Sequence, residues 1–125
     1  MQFDDKIPIY YQIKQYLYRE IIIKNLRPGE KIPAVRQLAV TLTVNANTIQ
    51  RALAELIDEK VLVSKRGRGN FVTTDTQILV ALKKTVVEDQ IKGLYEHLTA
   101  LKITPDEMLL YLKSYIQSRK EAQHD

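Results

Sequence analysis

The first half of the chain carries apolar residues at the three- and four-residue steps of amphipathic helices. Pro8, whose fixed φ suits the first position of a helix, opens a stripe that includes Ile13 and Leu17 and leaves Lys14 outside it. Two shorter segments with the same spacing follow Pro33 and Asn45. The pattern therefore predicts three consecutive helices, with Asn45 as the N-cap of the third.

After the third helix the apolar period changes from 3.6 towards 2, and it later returns to 3.6. The short runs 61–63 and 71–74, separated by a glycine-containing segment, indicate a β-hairpin. A long helical pattern covers 76–102. A last helix is expected from Pro105, because Thr104 and Glu107 have the spacing of a capping box.

Two short helices joined by a three-residue turn form a helix-turn-helix arrangement, and the hairpin after them is its wing. We therefore predict a mostly α fold with a small β-hairpin wing. Residues 1–75 form a winged helix-turn-helix domain, and residues 76–125 form a two-helix C-terminal region. The chain of 125 residues is long enough for one domain and a small annex.

The charge separates these two parts. The formal net charge is +4; residues 1–75 carry 12 Lys and Arg against 8 Asp and Glu, whereas residues 76–125 carry 7 of each. A basic part joined to a neutral part favours an anionic partner for the first. No apolar run is long enough to span a bilayer, and the acidic first residues do not resemble a signal peptide, so we expect a soluble cytoplasmic protein without a membrane partner.

The outward face of the third helix has side chains suited to base edges. With Ile49 and Leu53 directed inward, the helical angle places Asn47 and Arg51 opposite the core and Gln50 on the flank. Asn and Gln pair with adenine and Arg with guanine in the major groove of DNA. A solvated polar face, which most helices have, explains these residues equally well.

The tip of the hairpin strengthens the first interpretation. Lys65, Arg66 and Arg68 alternate with Gly67 and Gly69. A cationic tip with small residues can follow a phosphate backbone or enter a minor groove. An ordinary charged turn is the alternative, but a turn needs only one glycine, so the alternation favours contact with nucleic acid.

Four motifs in this order resemble the winged-helix domain of GntR-family bacterial transcription regulators, over about residues 7–74. They are Pro8-Ile9-Tyr10-x-Gln12-Ile13, Arg27-Pro28-Gly29-x-x-Ile32-Pro33-x-x-Arg36-x-Leu38-Ala39, Val44-Asn45-x-Asn47-Thr48-Ile49-x-Arg51-Ala52 and Arg66-Gly67-x-Gly69-x-Phe71-Val72. The short remainder is similar to the YtrA-like subfamily, whose C-terminal region serves dimerisation.

The resemblance implies DNA contacts by position. Their residues lie at the start of the second helix, at the start of the third helix and on the wing: Arg36, Ala46, Asn47, Thr48, Gln50, Arg51, Lys65, Arg66, Gly67 and Arg68. Three departures from the family pattern change what we expect. Ala34 replaces a capping Ser, Thr43 replaces the glycine of the turn, and Ala46 stands where many relatives have Arg or Pro. The first two bear on stability, and the third bears on the operator sequence.

The C-terminal region has more apolar residues than one helical hairpin can cover, which implies a partner. The expected dimerisation residues are Leu79, Leu82, Val86, Ile91, Leu94, Leu98, Leu112 and Ile116. Packing of these residues on the chain's own winged-helix domain is the alternative. A homodimer would place two recognition helices one turn of DNA apart on a palindromic operator.

No catalytic arrangement is predicted. The chain has no cysteine, and its two histidines, His97 and His124, are far from any nucleophile pattern or metal-ligand spacing. Glu55 and Glu59 are expected to pair with nearby lysines. We therefore expect no enzyme activity, no metal and no cofactor.

The favoured function is a homodimeric, sequence-specific DNA-binding regulator, most simply a repressor, with a possible small-molecule effector. The alternatives are a winged helix that binds RNA or a protein partner, and a structural adaptor.

Overall fold

The computed structural model describes residues 3–123, so Met1, Gln2, His124 and Asp125 lie outside the described residues, and with them both outer ends of the predicted domains. The described residues form five helices and one two-stranded antiparallel hairpin, which confirms the predicted fold class. In chain order the elements are α1 (Ile9–Ile22), α2 (Val35–Leu42), α3 (Ala46–Asp58), β1 (Leu62–Lys65), β2 (Gly69–Val72), α4 (Thr76–Ala100) and α5 (Pro105–Gln123).

Contacts within the chain divide it into two compact units, Met1–Thr85 and Val86–Asp125. The division lies inside α4, so the first turns of this helix belong to the first unit, and the functional boundary at residues 75 and 76 stays a prediction. Leu82 is buried in unit 1, and Leu79, on the same part of α4, lies beside Ile21 and Pro28. Apolar burial thus continues past the wing into α4.

The core of unit 1 is organised around α3. This helix packs on α1, on α2 and on β1. The most deeply buried large side chains come from α1, α3, β1 and β2: Ile13, Leu17, Ile49, Leu56, Leu62 and Val72. Because three neighbours contact α3 and its Ile49 and Leu56 are fully buried, the helix has one fixed orientation and its opposite face is exposed.

The N-termini of α3 and α2 agree with the sequence-based expectations, and the N-terminus of α1 differs by one residue. The side-chain oxygen of Asn45 accepts a hydrogen bond of 2.8 Å from the Asn47 N–H, which confirms the predicted N-cap of α3. Ala34 is the N-cap of α2 and supplies no side-chain hydrogen bond, as its methyl group requires. Pro8 lies at the N-cap of α1 rather than at its first helical position.

The helix-turn-helix junction contains a strained residue. Thr43 ends α2 with φ 57° and ψ 51°, in the left-handed region where a β-branched side chain is disfavoured. The Val44 N–H donates to the Ala39 carbonyl and the Thr43 N–H donates to the Val40 carbonyl, which are the two hydrogen bonds of a Schellman motif. Thr43, which replaces the glycine of the family pattern, therefore takes a left-handed conformation that glycine would adopt at lower cost.

The second unit consists of the rest of α4 and the whole of α5. Thr104 and Glu107 form the predicted capping box: the Glu107 N–H donates to the Thr104 hydroxyl, and the Thr104 N–H donates to the Glu107 carboxylate. Among the described residues, α5 has none that is buried. The large apolar side chains of α5, except the half-buried Met108, are therefore exposed in the single chain.

Candidate nucleic-acid interface

The N-terminal end of α3 presents a polar surface. Ala46, Asn47 and Gln50 are exposed, and Thr48 is half-buried. The cap from Asn45 occupies the backbone N–H of Asn47 and leaves the side chain of Asn47 available. The first turn of α3 has no acidic residue, so the partial positive charge of the helix terminus is not neutralised there.

Arg51, one turn further along α3, is held against α1. Its guanidinium carbon lies 3.6 Å from the centre of the Tyr10 ring, and its Nε is 3.7 Å from a carboxylate oxygen of Glu55. The side chain keeps 63% of its surface exposed. The predicted base-contacting residue is thus accessible and also restrained by an aromatic neighbour that sequence reasoning did not find.

The cations outside α3 come from the other predicted segments. Arg36, the second residue of α2, is exposed. Lys65 ends β1, with its ammonium group 4.4 Å from the centre of the Phe71 ring, and Arg66 and Arg68 are exposed on the loop. All ten predicted DNA-contacting residues lie in unit 1, and none of them is buried.

The two glycines of the wing have structural reasons of their own. The Arg68 N–H donates to the Lys65 carbonyl across the turn, and Gly67 takes φ +74° at the third position of that turn. Gly69 takes φ +111°, and a Cβ there would come within 2.8 Å of Lys31 Cε. The expectation that a turn needs only one glycine was therefore wrong for this hairpin, because both positions require a positive φ.

Lys31 is a cation of the wing that the sequence pattern did not reveal. Backbone hydrogen bonds join Glu30 and Ile32 to β2, and Lys31 forms a bridge with Phe71. Its side chain passes beside Gly69. Since Lys31 precedes the wing by more than thirty residues, only the tertiary structure shows that it adds a positive charge to this hairpin.

The environment of Lys14 on α1 differs from the one that the sequence pattern predicted. The sequence pattern places it outside the apolar stripe, but it is buried and pairs with two carboxylates of α3, at 3.2 Å from Glu55 and 2.8 Å from Glu59. Burial alone lowers the pKa of the Lys14 ammonium; the hydrogen bonds to Glu59 and Glu55 outweigh it and raise this pKa above its ordinary 10.5. The expected pairing of Glu55 and Glu59 with a lysine is confirmed.

Tyr18 completes this polar contact between α1 and α3. Its hydroxyl donates a hydrogen bond to Glu59. Burial, together with this hydrogen bond, raises the pKa of Tyr18 above its ordinary 10.0. The C-terminal end of α3 is therefore held against α1 by polar as well as apolar contacts.

The eight predicted dimerisation residues differ in exposure. Leu82 is buried within unit 1, and Leu79, Val86 and Leu98 are half-buried. The remaining four are between 44% and 56% exposed: Ile91, Leu94, Leu112 and Ile116. Ile91, Leu94, Leu98 and Leu112 belong to the lining of one apolar groove of about 250 Å³ in unit 2.

Residues 9–72 match the family described as bacterial regulatory proteins, gntR family. The chain belongs to the GntR family. The GntR-family chain is 33% identical over 116 residues to the uncharacterized HTH-type transcriptional regulator YhcF of Bacillus subtilis, covering 93% of this chain and 96% of YhcF. It is 38% identical over 89 residues to the HTH-type transcriptional repressor YtrA of the same organism, covering 70% of this chain and 68% of YtrA.

Solved structures give the same result for this GntR-family chain. A GntR family transcriptional regulator from Listeria monocytogenes superposes with a TM-score of 0.84 at 33% identity, covering 90% of this chain and 98% of the other. AraR(DBD) in complex with operator ORR3 superposes with a TM-score of 0.53 at 29% identity, covering 58% of this chain and 88% of the other. The chain is therefore a transcriptional regulator with the DNA-binding fold of its family, not an enzyme.

The resemblance stated from four motifs is thus confirmed for the family, and YtrA is among the relatives. One further finding concerns the whole described chain. Among residues 3–123, none of the helices has both the length and the apolar character needed to cross a lipid bilayer.

Proposed function

We propose that this protein is a homodimeric repressor that binds a palindromic operator through α3 and the wing. The observation that carries the proposal is the exposed, acid-free N-terminal end of α3, where Asn47, Gln50 and Arg51 are all accessible. These are the side-chain types that make bidentate contacts with adenine and guanine. The wing adds cations that suit phosphate or minor-groove contact.

The homodimer is supported by the distribution of apolar surface. Of the eighteen exposed large hydrophobic residues among the described ones, twelve lie on or just after α4 and on α5. A surface of this kind in an isolated chain indicates a protein interface. We propose that a second copy covers it, since two identical domains would each supply one α3 to a two-fold symmetric operator.

Repression is proposed because a small dimer acts most simply by occupying its operator and excluding other proteins. The relative YtrA is named a transcriptional repressor, which agrees with this mechanism. An operator-binding regulator acts where the chromosome is, so we propose a cytoplasmic location. A small-molecule effector remains part of the proposal without an assigned site.

The test is a titration of labelled DNA from upstream of the protein's own operon, at several salt concentrations. We expect tight binding to the operator and none to scrambled DNA. The logarithm of the binding constant should fall linearly with the logarithm of the salt concentration. Arg51→Ala should reduce the preference for particular base pairs by about 1–3 kcal/mol, because it removes a base contact. Arg68→Ala should weaken binding to all sequences about equally and lower the salt slope by about one, because it removes a cation that neutralises one phosphate.

Lys113→Ala provides the matched control, since it removes one exposed cation from α5 rather than from unit 1. Its affinity and salt slope should equal those of the wild type. Equal binding to operator and scrambled DNA would refute the proposal. Preference for an RNA duplex of the same sequence would favour the alternative winged-helix function.

A further inference from the structure

Six residues form a regular line of contacts between α1 and α3, which we call the α1–α3 seam. They recur every four residues along both helices: Tyr10, Lys14 and Tyr18 on α1, and Arg51 and Glu55 on α3 with Glu59 at its C-cap. Residues four apart lie on the same face of a helix, so each helix presents one row to the other. The rows pair in order from Tyr10 with Arg51 to Tyr18 with Glu59.

Glu55 is shared between two cations of the seam. One carboxylate oxygen is 3.2 Å from Lys14 Nζ, and the other is 3.7 Å from Arg51 Nε. The pair with Lys14 is the closer of the two, and Lys14 is buried, whereas Arg51 is largely exposed. Because exposed ion pairs at this distance contribute little, Glu55 alone does not fix the Arg51 side chain.

Tyr10 supplies the stronger restraint. The guanidinium carbon lies 3.6 Å from the centre of its ring, a stacking distance that covers one face of the group, and the side chain stays 63% exposed. The ion pair uses Nε, and the part of the chain that the structure describes offers no further partner within ion-pairing distance of Arg51. The terminal nitrogens of Arg51 are thus free to donate to a base.

We propose that Tyr10 is a positioning residue that sets the base preference of this regulator through Arg51. The inference rests on the proposed function, because it takes Arg51 as a base-contacting residue. A flexible arginine loses rotamer freedom when it binds a base; an arginine already stacked on Tyr10 loses less. Tyr10 therefore favours the operators that present guanine to Arg51.

The test uses a double-mutant cycle measured as base preference rather than as affinity alone. The preferred operator of the wild type is first selected from random DNA, and each base pair is then changed singly. Tyr10→Ala should reduce the preference about two- to fivefold, the size of an exposed cation–π contact, and only at base pairs where Arg51→Ala also reduces it. The double variant should show the preference of Arg51→Ala alone.

Two further variants separate positioning from folding. Tyr10→Phe keeps the ring and should retain the wild-type preference. Tyr11→Ala removes the neighbouring exposed tyrosine and should leave base preference unchanged. Thermal unfolding of each variant reports any loss of structure independently of DNA.

The outcomes distinguish this inference from the function on which it rests. A wild type without base preference would refute both. An effect of Arg51→Ala with no effect of Tyr10→Ala, a uniform loss at all base pairs in Tyr10→Ala, or additive losses in the double variant would refute the positioning role of Tyr10 alone.

Discussion

Replacement of Thr43 by glycine should stabilise the protein. Thr43 is exposed, has φ 57° and donates one of the two Schellman hydrogen bonds through its backbone N–H, so the substitution removes no packing and no backbone partner. The left-handed conformation costs an L-residue about 1–2 kcal/mol. Glycine loses more chain entropy on folding, which offsets about 0.4–1 kcal/mol of this gain. The expected net increase in the free energy of unfolding is about 0.5–1 kcal/mol.

The assay is urea unfolding followed by far-UV circular dichroism, with the melting temperature as a second measurement. The midpoint should rise without a change in slope, since the substitution exposes no additional surface. A domain of this size should gain roughly 2–8 °C. Thr43→Asn should fall between threonine and glycine, because asparagine tolerates the left-handed region better than β-branched residues do.

Two comparisons make the result specific. Thr41→Gly places glycine inside α2 at another exposed threonine and should destabilise by a few tenths of a kcal/mol. Lys60 follows α3 with φ 66° and is not β-branched, so Lys60→Gly should gain less than Thr43→Gly. If Thr43→Gly is no more stable than the wild type, or if the two threonine variants behave alike, backbone strain at Thr43 is not the determining factor.

Three other predictions concern the wing, the seam and the dimer. Gly69→Ala should lower the free energy of unfolding by about 1–3 kcal/mol, because this position has a φ of +111°. Adding Lys31→Ala should not restore stability, because the strain is in the backbone. Urea unfolding of both variants and of their combination tests this. Because folding raises the pKa of Tyr18, the contribution of this residue to stability is complete below about pH 10 and is lost as the pH rises further. The free energy of unfolding of Tyr18→Phe should therefore decline less steeply with alkaline pH than that of the wild type. An unchanged slope would contradict this. Leu112→Glu should convert the proposed dimer to a monomer in analytical ultracentrifugation, whereas Val40→Glu, at an exposed valine of α2, should leave the proposed dimer intact. A dimeric Leu112→Glu would argue against the proposed interface.

Local chemistry explains which parts of the fold were predictable. Asn45, Thr104 and Glu107 act on backbone groups two or three residues away, so their effects can be deduced from spacing alone. The importance of Thr43 was instead expected from the family resemblance, in which a glycine stands at this position of the turn. One helix bound differed from the prediction by two residues, since the pattern over 76–102 became α4 at Thr76–Ala100. The last helix, α5, extends to Gln123, into the polar residues where its apolar pattern has ended.

The unpredicted features depend on partners distant in sequence. A lysine in a helical pattern is normally assigned to solvent; Lys14 is buried because Glu55 and Glu59 lie opposite it, 41 and 45 residues away. Tyr10 beside Arg51 and Lys31 beside Gly69 arise in the same way. The types of residue at the candidate interface could be predicted, whereas the contacts that restrain them required the tertiary structure.

The α1–α3 seam also limits how the protein can acquire a new operator. Four residues of α3 that are not buried precede the seam: Ala46, Asn47, Thr48 and Gln50. They can diverge or be exchanged for those of a relative without disturbing α1, whereas Ile49 among them is fully buried in the core. From Arg51 onward each position of the α3 row has a partner on α1. A graft that replaces Glu59 but keeps Lys14 and Tyr18 would leave the buried ammonium with Glu55 as its one carboxylate partner and would leave the tyrosine hydroxyl unmatched. Changes of recognition within this lineage should therefore be concentrated in those four residues, with α1 and the remainder of α3 inherited together.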